Sequence, residues 1–189
     1  MARILFLLED GFDDLEYYYA RYRLLEEGHR VVVASSKVFS DRLVLDPETG
    51  SLVRERRVIM GKRGLEVVPD IGYEDALSRE WDGIVIPGGR SPERVRVNKY
   101  ARLLVERHLS LYKPVLALCH GPLVLASVGV LKGRRVTGHP GIGDDLRNAG
   151  ALYTGSGAER DGCIVTVRHT TTIHEGMPLF LELLERGCL

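Results

Sequence analysis

The chain has 189 residues, 44% of them hydrophobic and 28% charged, and its formal net charge is zero. That length can bury one core without help from metals or disulfides, and the composition is globular, not disordered. A neutral chain without a strongly basic stretch has no electrostatic basis for binding nucleic acid or membrane surfaces.

The opening apolar run, Ile4 to Leu8, stops at Glu9-Asp10. It is too short for a signal peptide or a membrane span and reads as a first strand, 2–8, of a cytoplasmic protein. A helix follows: Asp13 can cap it, Glu16 stands three residues later, Leu15, Tyr18, Tyr22 and Leu25 recur at helical spacing, and Gly28 ends it. A strand is expected at 30–35. Residues 37–62 break the rhythm, because Leu43-Val44-Leu45 and Leu52-Val53 flank the turn-forming cluster Asp46-Pro47-Glu48-Thr49-Gly50, so an inserted β-hairpin is expected, with Arg54-Glu55-Arg56-Arg57 as its solvated outer face. Further strands are read at 83–86, 115–118, 135–137 and 162–167. Helical crossovers fall at 92–112, 120–128 and about 143–149, and a closing helix at 177–186 carries Pro178 in its first turn. Apolar runs alternating with amphipathic stretches predict one α/β domain, 1–189, whose mostly parallel sheet is covered on both faces. Cys119, Cys163 and Cys188 are odd in number and widely spaced, so free thiols are expected.

The chemistry concentrates in Lys113-Pro114-Val115-Leu116-Ala117-Leu118-Cys119-His120-Gly121-Pro122. A buried strand ends in Cys-His-Gly and enters a helix, the layout of a nucleophile elbow. It exposes Cys119 at the carboxyl end of the sheet, where open α/β folds bind ligands, and the helix start favours thiolate. Ile84-Val85-Ile86-Pro87-Gly88-Gly89 is a second strand ending in a glycine turn. The amides of Gly89 and His120 can then hold the oxyanion of a tetrahedral intermediate.

Phe12-Asp13-Asp14-Leu15-Glu16, the run from Pro87 to Arg96, Ala117 to Pro122, and His139-Pro140-Gly141-Ile142 resemble the PfpI-type intracellular cysteine peptidases and their protein-deglycase relatives, in the same order and at similar spacing. The resemblance leaves out the hairpin and weakens near the C-terminus. It implies a flavodoxin-like three-layer fold in the class I glutamine amidotransferase-like group. It implies Cys119 as nucleophile, His120 as base, Glu16 as the carboxylate beside the sulfur, and Glu93 as an acidic residue lent to His120 by a neighbouring subunit of a homo-oligomer. Each role has a bland rival. Glu16 can be the reciprocal half of a capping box with Asp13. Glu93 is suited to a helix start by the dipole alone.

His139 sits in a Thr-x-His-Pro context that resembles the deglycases, whereas the Pro-Gly-Gly-Arg-Ser-Pro-Glu-Arg run resembles the peptidases. We therefore read His139, with Gly88 and Gly89, as lining the site. Thr170-Thr171-Thr172 departs from the Pro-x-Asp that the peptidases show after an arginine. No metal-binding spacing occurs, since His174 and Glu175 are adjacent and diverge, and neither metal nor cofactor is expected. The expected activity is a cysteine hydrolase acting on peptides or small amides. The alternatives are a glyoxalase or deglycase acting on methylglyoxal or its adducts, and a thiol oxidation sensor or chaperone-like stress protein. The substrate is a peptide or small carbonyl compound, and no nucleic acid or membrane partner is expected.

Overall fold

A computed structural model describes residues 1–188. In chain order the elements are β1 (Arg3–Leu7), α1 (Asp14–Glu26), β2 (Arg30–Ser35), β3 (Phe39–Leu45), β4 (Leu52–Arg56), β5 (Ile59–Met60), β6 (Glu66–Val67), β7 (Ile71–Gly72) and α2 (Tyr73–Ala76). They continue with β8 (Gly83–Ile86), α3 (Ser91–Val95), α4 (Lys99–Ser110), β9 (Val115–Leu118), α5 (Pro122–Val128), β10 (Arg135–Val136) and α6 (Gly143–Asn148). Last come β11 (Leu152–Tyr153), β12 (Ala158–Asp161), β13 (Ile164–Val167) and α7 (Ile173–Arg186).

The main sheet has the order β12-β13-β9-β8-β1-β2-β7, and every pairing in it is parallel except β12 with β13. Side chains alternate across it because successive residues of a strand face opposite ways. Leu5, Leu7, Ile84 and Ile86 pack under Leu104 and Val105 of α4, Leu123 and Val124 of α5, and Leu146 of α6. Ile4, Phe6, Val85, Leu116 and Val165 pack under Ala20 and Leu24 of α1 and Met177, Phe180 and Leu183 of α7. The result is a flavodoxin-like three-layer α/β fold. Truncating a fully buried side chain such as Phe180 costs about 3–5 kcal/mol in such a core.

Several elements differ from the sequence reading. In α1 the stripe Leu15, Tyr22 and Leu25 faces outward, and Asp14, Glu16, Tyr17, Ala20 and Leu24 are buried. The helix is turned this way by its acids. The Asp14 carboxylate accepts from the Arg63 and Leu65 amides at 2.8 and 2.9 Å, and Glu16 points into the sheet end. The strand read at 135–137 is β10, which pairs with β11 in a separate small sheet. The segment 162–167 is only β13, entered from the antiparallel edge strand β12. Helix α7 begins at Ile173, directly after a 3-10 turn at Thr170–Thr172, so Pro178 lies inside the helix and not in its first turn.

The hairpin forms as β3 and β4, but the basic run at its foot is not all solvated. Arg57 pairs with Asp10 and lies 3.5 Å from Glu9, which clamps the insertion to the end of β1, and Arg56 donates to the Pro69 carbonyl at 2.6 Å, just before β7. Nor are all three cysteines free. Cys163 and Cys188 form a disulfide, their Cα atoms 4.9 Å apart, because α7 packs back along β13 and brings the two positions together.

Candidate active site

The elbow forms as the strand-to-helix run requires. Cys119 follows β9 with φ +57°, a left-handed conformation that costs a non-glycine residue on the order of 1–2 kcal/mol and persists only where neighbours fix it. They do so here. The Cys119 amide donates to Val167 O at 2.8 Å, its carbonyl accepts from the His139 amide at 2.8 Å, and the Gly121 amide donates to Leu118 O at 2.6 Å. Only glycine fits at 121, where a Cβ would stand 2.5 Å from Ile86 O and 2.8 Å from Leu118 N. The same holds at Gly88, where a Cβ would meet a Glu16 carboxylate oxygen at 2.6 Å and Cys119 Cβ at 2.7 Å.

Glu16 lies fully buried beside the thiol. Asp13 does cap α1, accepting from the Leu15 and Glu16 amides, yet Glu16 does not complete a capping box. The Asp13 amide instead donates to Gly88 O at 3.1 Å, while Glu16 Oε2 accepts the Gly88 amide at 2.6 Å and Oε1 accepts the Thr170 hydroxyl at 2.9 Å. Burial, and then the charge of Asp13, raise the Glu16 pKa to about 7. Burial first, and then the negative charge of Glu16, push the Cys119 thiol up, against the pull of the helix start towards thiolate. The carboxyl and the thiol therefore compete for a proton, and a protonated Glu16 both lifts the repulsion and supplies a donor to sulfur.

On the open side His120 Nδ1 lies 3.3 Å from Cys119 Sγ. Its ring stacks on His139 with centroids 4.5 Å apart, and His169 follows at 6.1 Å from His139. His139 Nδ1 accepts from the Gly141 amide at 3.0 Å, which places the proton of the neutral ring on Nε2. Both His120 and His139 bind protons less readily than usual, first because of burial and then because of the neighbouring imidazole. Among the described residues the amides of Gly89 and His120 donate to no other group, so both remain available to an oxyanion.

Cys119, His120, Glu16, Gly88, Gly89 and His139 thus converge. Glu93 does not join them by hydrogen bond. It is exposed at the start of α3, although its charge raises the proton affinity of His120 within the one chain. Two residues are added that the sequence did not single out for this role. Thr170 holds Glu16 where the motif departs from its relatives. Lys62, at the end of the insertion, pairs with buried Asp13, and its positive charge favours the Cys119 thiolate and disfavours protonation of His120 and His139. No sequence spacing marks Lys62, because its partner lies 49 positions away across a long-range contact. No group of three or more His, Cys, Asp or Glu side chains among the described residues is arranged to hold a metal.

The strand order reverses between β1 and β8, and the loops after these strands meet in a bridge between Phe12 and Gly89. A cysteine at an elbow beside that switch point defines a class: α/β proteins with a thiol at the carboxyl edge of a parallel sheet. The family model described as the DJ-1/PfpI family matches residues 2–184, and the chain belongs to that family. Deglycases of Pyrococcus abyssi and Pyrococcus furiosus, the second named PfpI, are 41% and 39% identical over 183 residues, 97% of this chain and 99% of theirs. A Bacillus subtilis protein named as a candidate cysteine protease is 34% identical over 170 residues, 88% of each chain. The solved structure of Drosophila melanogaster DJ-1beta shares the fold with TM-score 0.82 at 23% identity, covering 97% of this chain and 90% of the other. No helix of the described residues is long and apolar enough to cross a membrane.

Proposed function

We propose that the chain is a thiol-dependent deglycase of the glyoxalase type, which removes methylglyoxal from its amine adducts and also converts the free dicarbonyl. The observation that carries this reading is the setting of His120, whose ring stacks on a second imidazole and hydrogen-bonds to no carboxylate of the chain. A peptidase histidine needs a partner that stabilises its protonated form, so that it can protonate an amine leaving group. His120 is biased towards the neutral form, which suits a base that takes a carbon-bound proton.

In this mechanism Glu16 accepts the Cys119 proton, and the thiolate adds to the aldehyde carbon of methylglyoxal, or displaces the amine from that carbon in the adduct, the amine leaving with the proton that Glu16 took from the thiol. The hemithioacetal oxygen faces the Gly89 and His120 amides. His120 moves the proton from the sulfur-bearing carbon to the adjacent carbonyl carbon through an enediol, leaving a thioester of lactate. Water hydrolyses it, so one dicarbonyl and one water give lactate and free the thiol. The names of the Pyrococcus relatives agree with this reading. Peptide hydrolysis remains a second reading, favoured by the 3.3 Å contact of His120 Nδ1 with the sulfur. In that second reading the working unit is a homo-oligomer in which Glu93 of a neighbouring copy supplies the carboxylate, because the His120 ring has no hydrogen-bond partner beyond Cys119 among the described residues.

The test follows lactate release from methylglyoxal and amine recovery from its N-acetyllysine adduct, beside hydrolysis of a chromogenic peptide amide and peroxide-dependent mass gain. Lactate and amine that disappear in Cys119→Ser support the proposal. Peptide hydrolysis without lactate overturns it in favour of the peptidase, and mass gain without any turnover overturns it in favour of a thiol sensor.

A further inference from the structure

A groove of about 860 Å³ opens beside the site, lined by Asp10, Gly11, Lys62, Arg63, Arg90 and Arg94, with Met60 and Gly61 in its floor. Four cations face one carboxylate there, in a chain whose net charge is zero. That carboxylate is already engaged, since Asp10 pairs with Arg57 and accepts the Met60 amide at 2.9 Å. Arg94 donates only to the Asp10 backbone carbonyl, at 2.7 Å, and no carboxylate among the described residues lies within ion-pair distance of Arg63, Arg90 or Arg94.

The stems of these arginines start from fixed backbone. The turn carrying Lys62 and Arg63 is held by buried Asp14 through the Arg63 and Leu65 amides, and Gly61 lies so close to that carboxylate that a Cβ would stand 2.3 Å from it. The Arg90 backbone is fixed by its amide N–H, which donates to Gly11 O at 2.8 Å. The groove is also continuous with the reacting centre. Arg90 directly follows Gly89 of the glycine turn beside Cys119, and Lys62 lines the groove while its charge acts on the Cys119 thiol. We infer that this groove receives an anionic group, carboxylate or phosphate, of the substrate whose carbonyl carbon Cys119 attacks, so that acidic carbonyl compounds are preferred over neutral ones. Planar guanidiniums bind such groups through paired N–H donors, and a low local density of carboxylates leaves them free to do so.

The inference rests on the proposed carbonyl chemistry for its meaning, but its test needs no turnover. Iodoacetate and iodoacetamide carry the same electrophilic carbon and differ by a negative charge, so the ratio of their rates with Cys119 reports the groove alone. The expected ratio exceeds that of N-acetylcysteine amide and falls by roughly threefold or more in Arg63→Gln/Arg90→Gln, while the iodoacetamide rate, which monitors the fold, stays unchanged. Inorganic phosphate and acetate are then compared as protectants against iodoacetate, and the more effective one identifies the anionic group. A ratio no higher than that of the model thiol, or one that the double variant leaves unchanged, overturns the inference. Failure of lactate release with an intact charge effect would instead count against the reaction and not against the groove.

Discussion

Glu16 Oε2 accepts the Gly88 amide at 2.6 Å, so a carboxyl from the first turn of α1 is fastened to the glycine turn after β8, directly beside the Cys119 sulfur. The bond aligns three chain segments that are distant in sequence, and it fixes the one acid able to exchange a proton with the thiol. Because the carboxyl is sealed from water, its proton affinity moves to about 7 and overlaps the working range of an enzyme near neutral pH.

Replacing Glu16 with Gln should move the pH profile of Cys119 alkylation upward by about one unit. In the wild type the pair loses its first proton near the value at which Glu16 titrates, and the remaining proton bridges oxygen and sulfur. An amide N–H is a weaker donor to thiolate than a carboxylic O–H, so the thiolate becomes harder to form. Rates of iodoacetamide labelling from pH 5 to 10 measure this, and superimposable profiles would remove Glu16 from the thiol's chemistry.

The peptidase reading predicts that Cys119→Ser and Glu93→Ala, each inactive alone, recover partial peptide hydrolysis when they are mixed and subunits exchange. Some sites then receive an intact Cys119 from one copy and an intact Glu93 from another. Exchange demonstrated by mass-tagged subunits without any recovery would confine Glu93 to its weak electrostatic role within one chain.

Under non-reducing conditions only Cys119 should take up iodoacetamide, since Cys163 and Cys188 are joined. Their link closes a loop with a sequence separation of 25. Opening such a loop by Cys188→Ser should lower unfolding stability by about 3 kcal/mol. Urea unfolding of the wild type in reductant should then match the variant in buffer. Equal stability of wild type and variant without reductant would mean that the link contributes nothing.

His108 is buried in α4, and its pKa falls to about 4, chiefly through burial and then the charge of Lys113. The sign follows from linkage. Above about 6.5 both folded and unfolded forms are neutral, and below it the unfolded chain binds a proton that the folded chain refuses. Stability contributed by the neutral ring is therefore lost as pH falls from about 6.5 towards 4, by about 3 kcal/mol in total. His108→Leu should unfold in urea with a flatter dependence on pH across that window. Parallel dependences for the two proteins would locate acid sensitivity elsewhere.

The sequence by itself determined the alternation of strands and helices, the elbow at Cys119-His120-Gly121 and the glycine turn at Gly88-Gly89. Each of these is a local demand: a buried run of β-formers, a left-handed turn, a backbone approach that tolerates no Cβ. Tertiary structure alone decided what those local features meet. The exposed face of α1 could not be read from apolar spacing, because the buried acids Asp14 and Glu16 found partners in the 61–65 turn and at Gly88 and rotated the helix against its hydrophobic pattern. The Cys163–Cys188 link, the Thr170 bond to Glu16 and the Lys62 pairing with Asp13 join positions 25, 154 and 49 residues apart. Contacts at such separations leave no periodic trace in a single chain, since they are fixed by the order of the strands in the sheet and not by neighbouring residues.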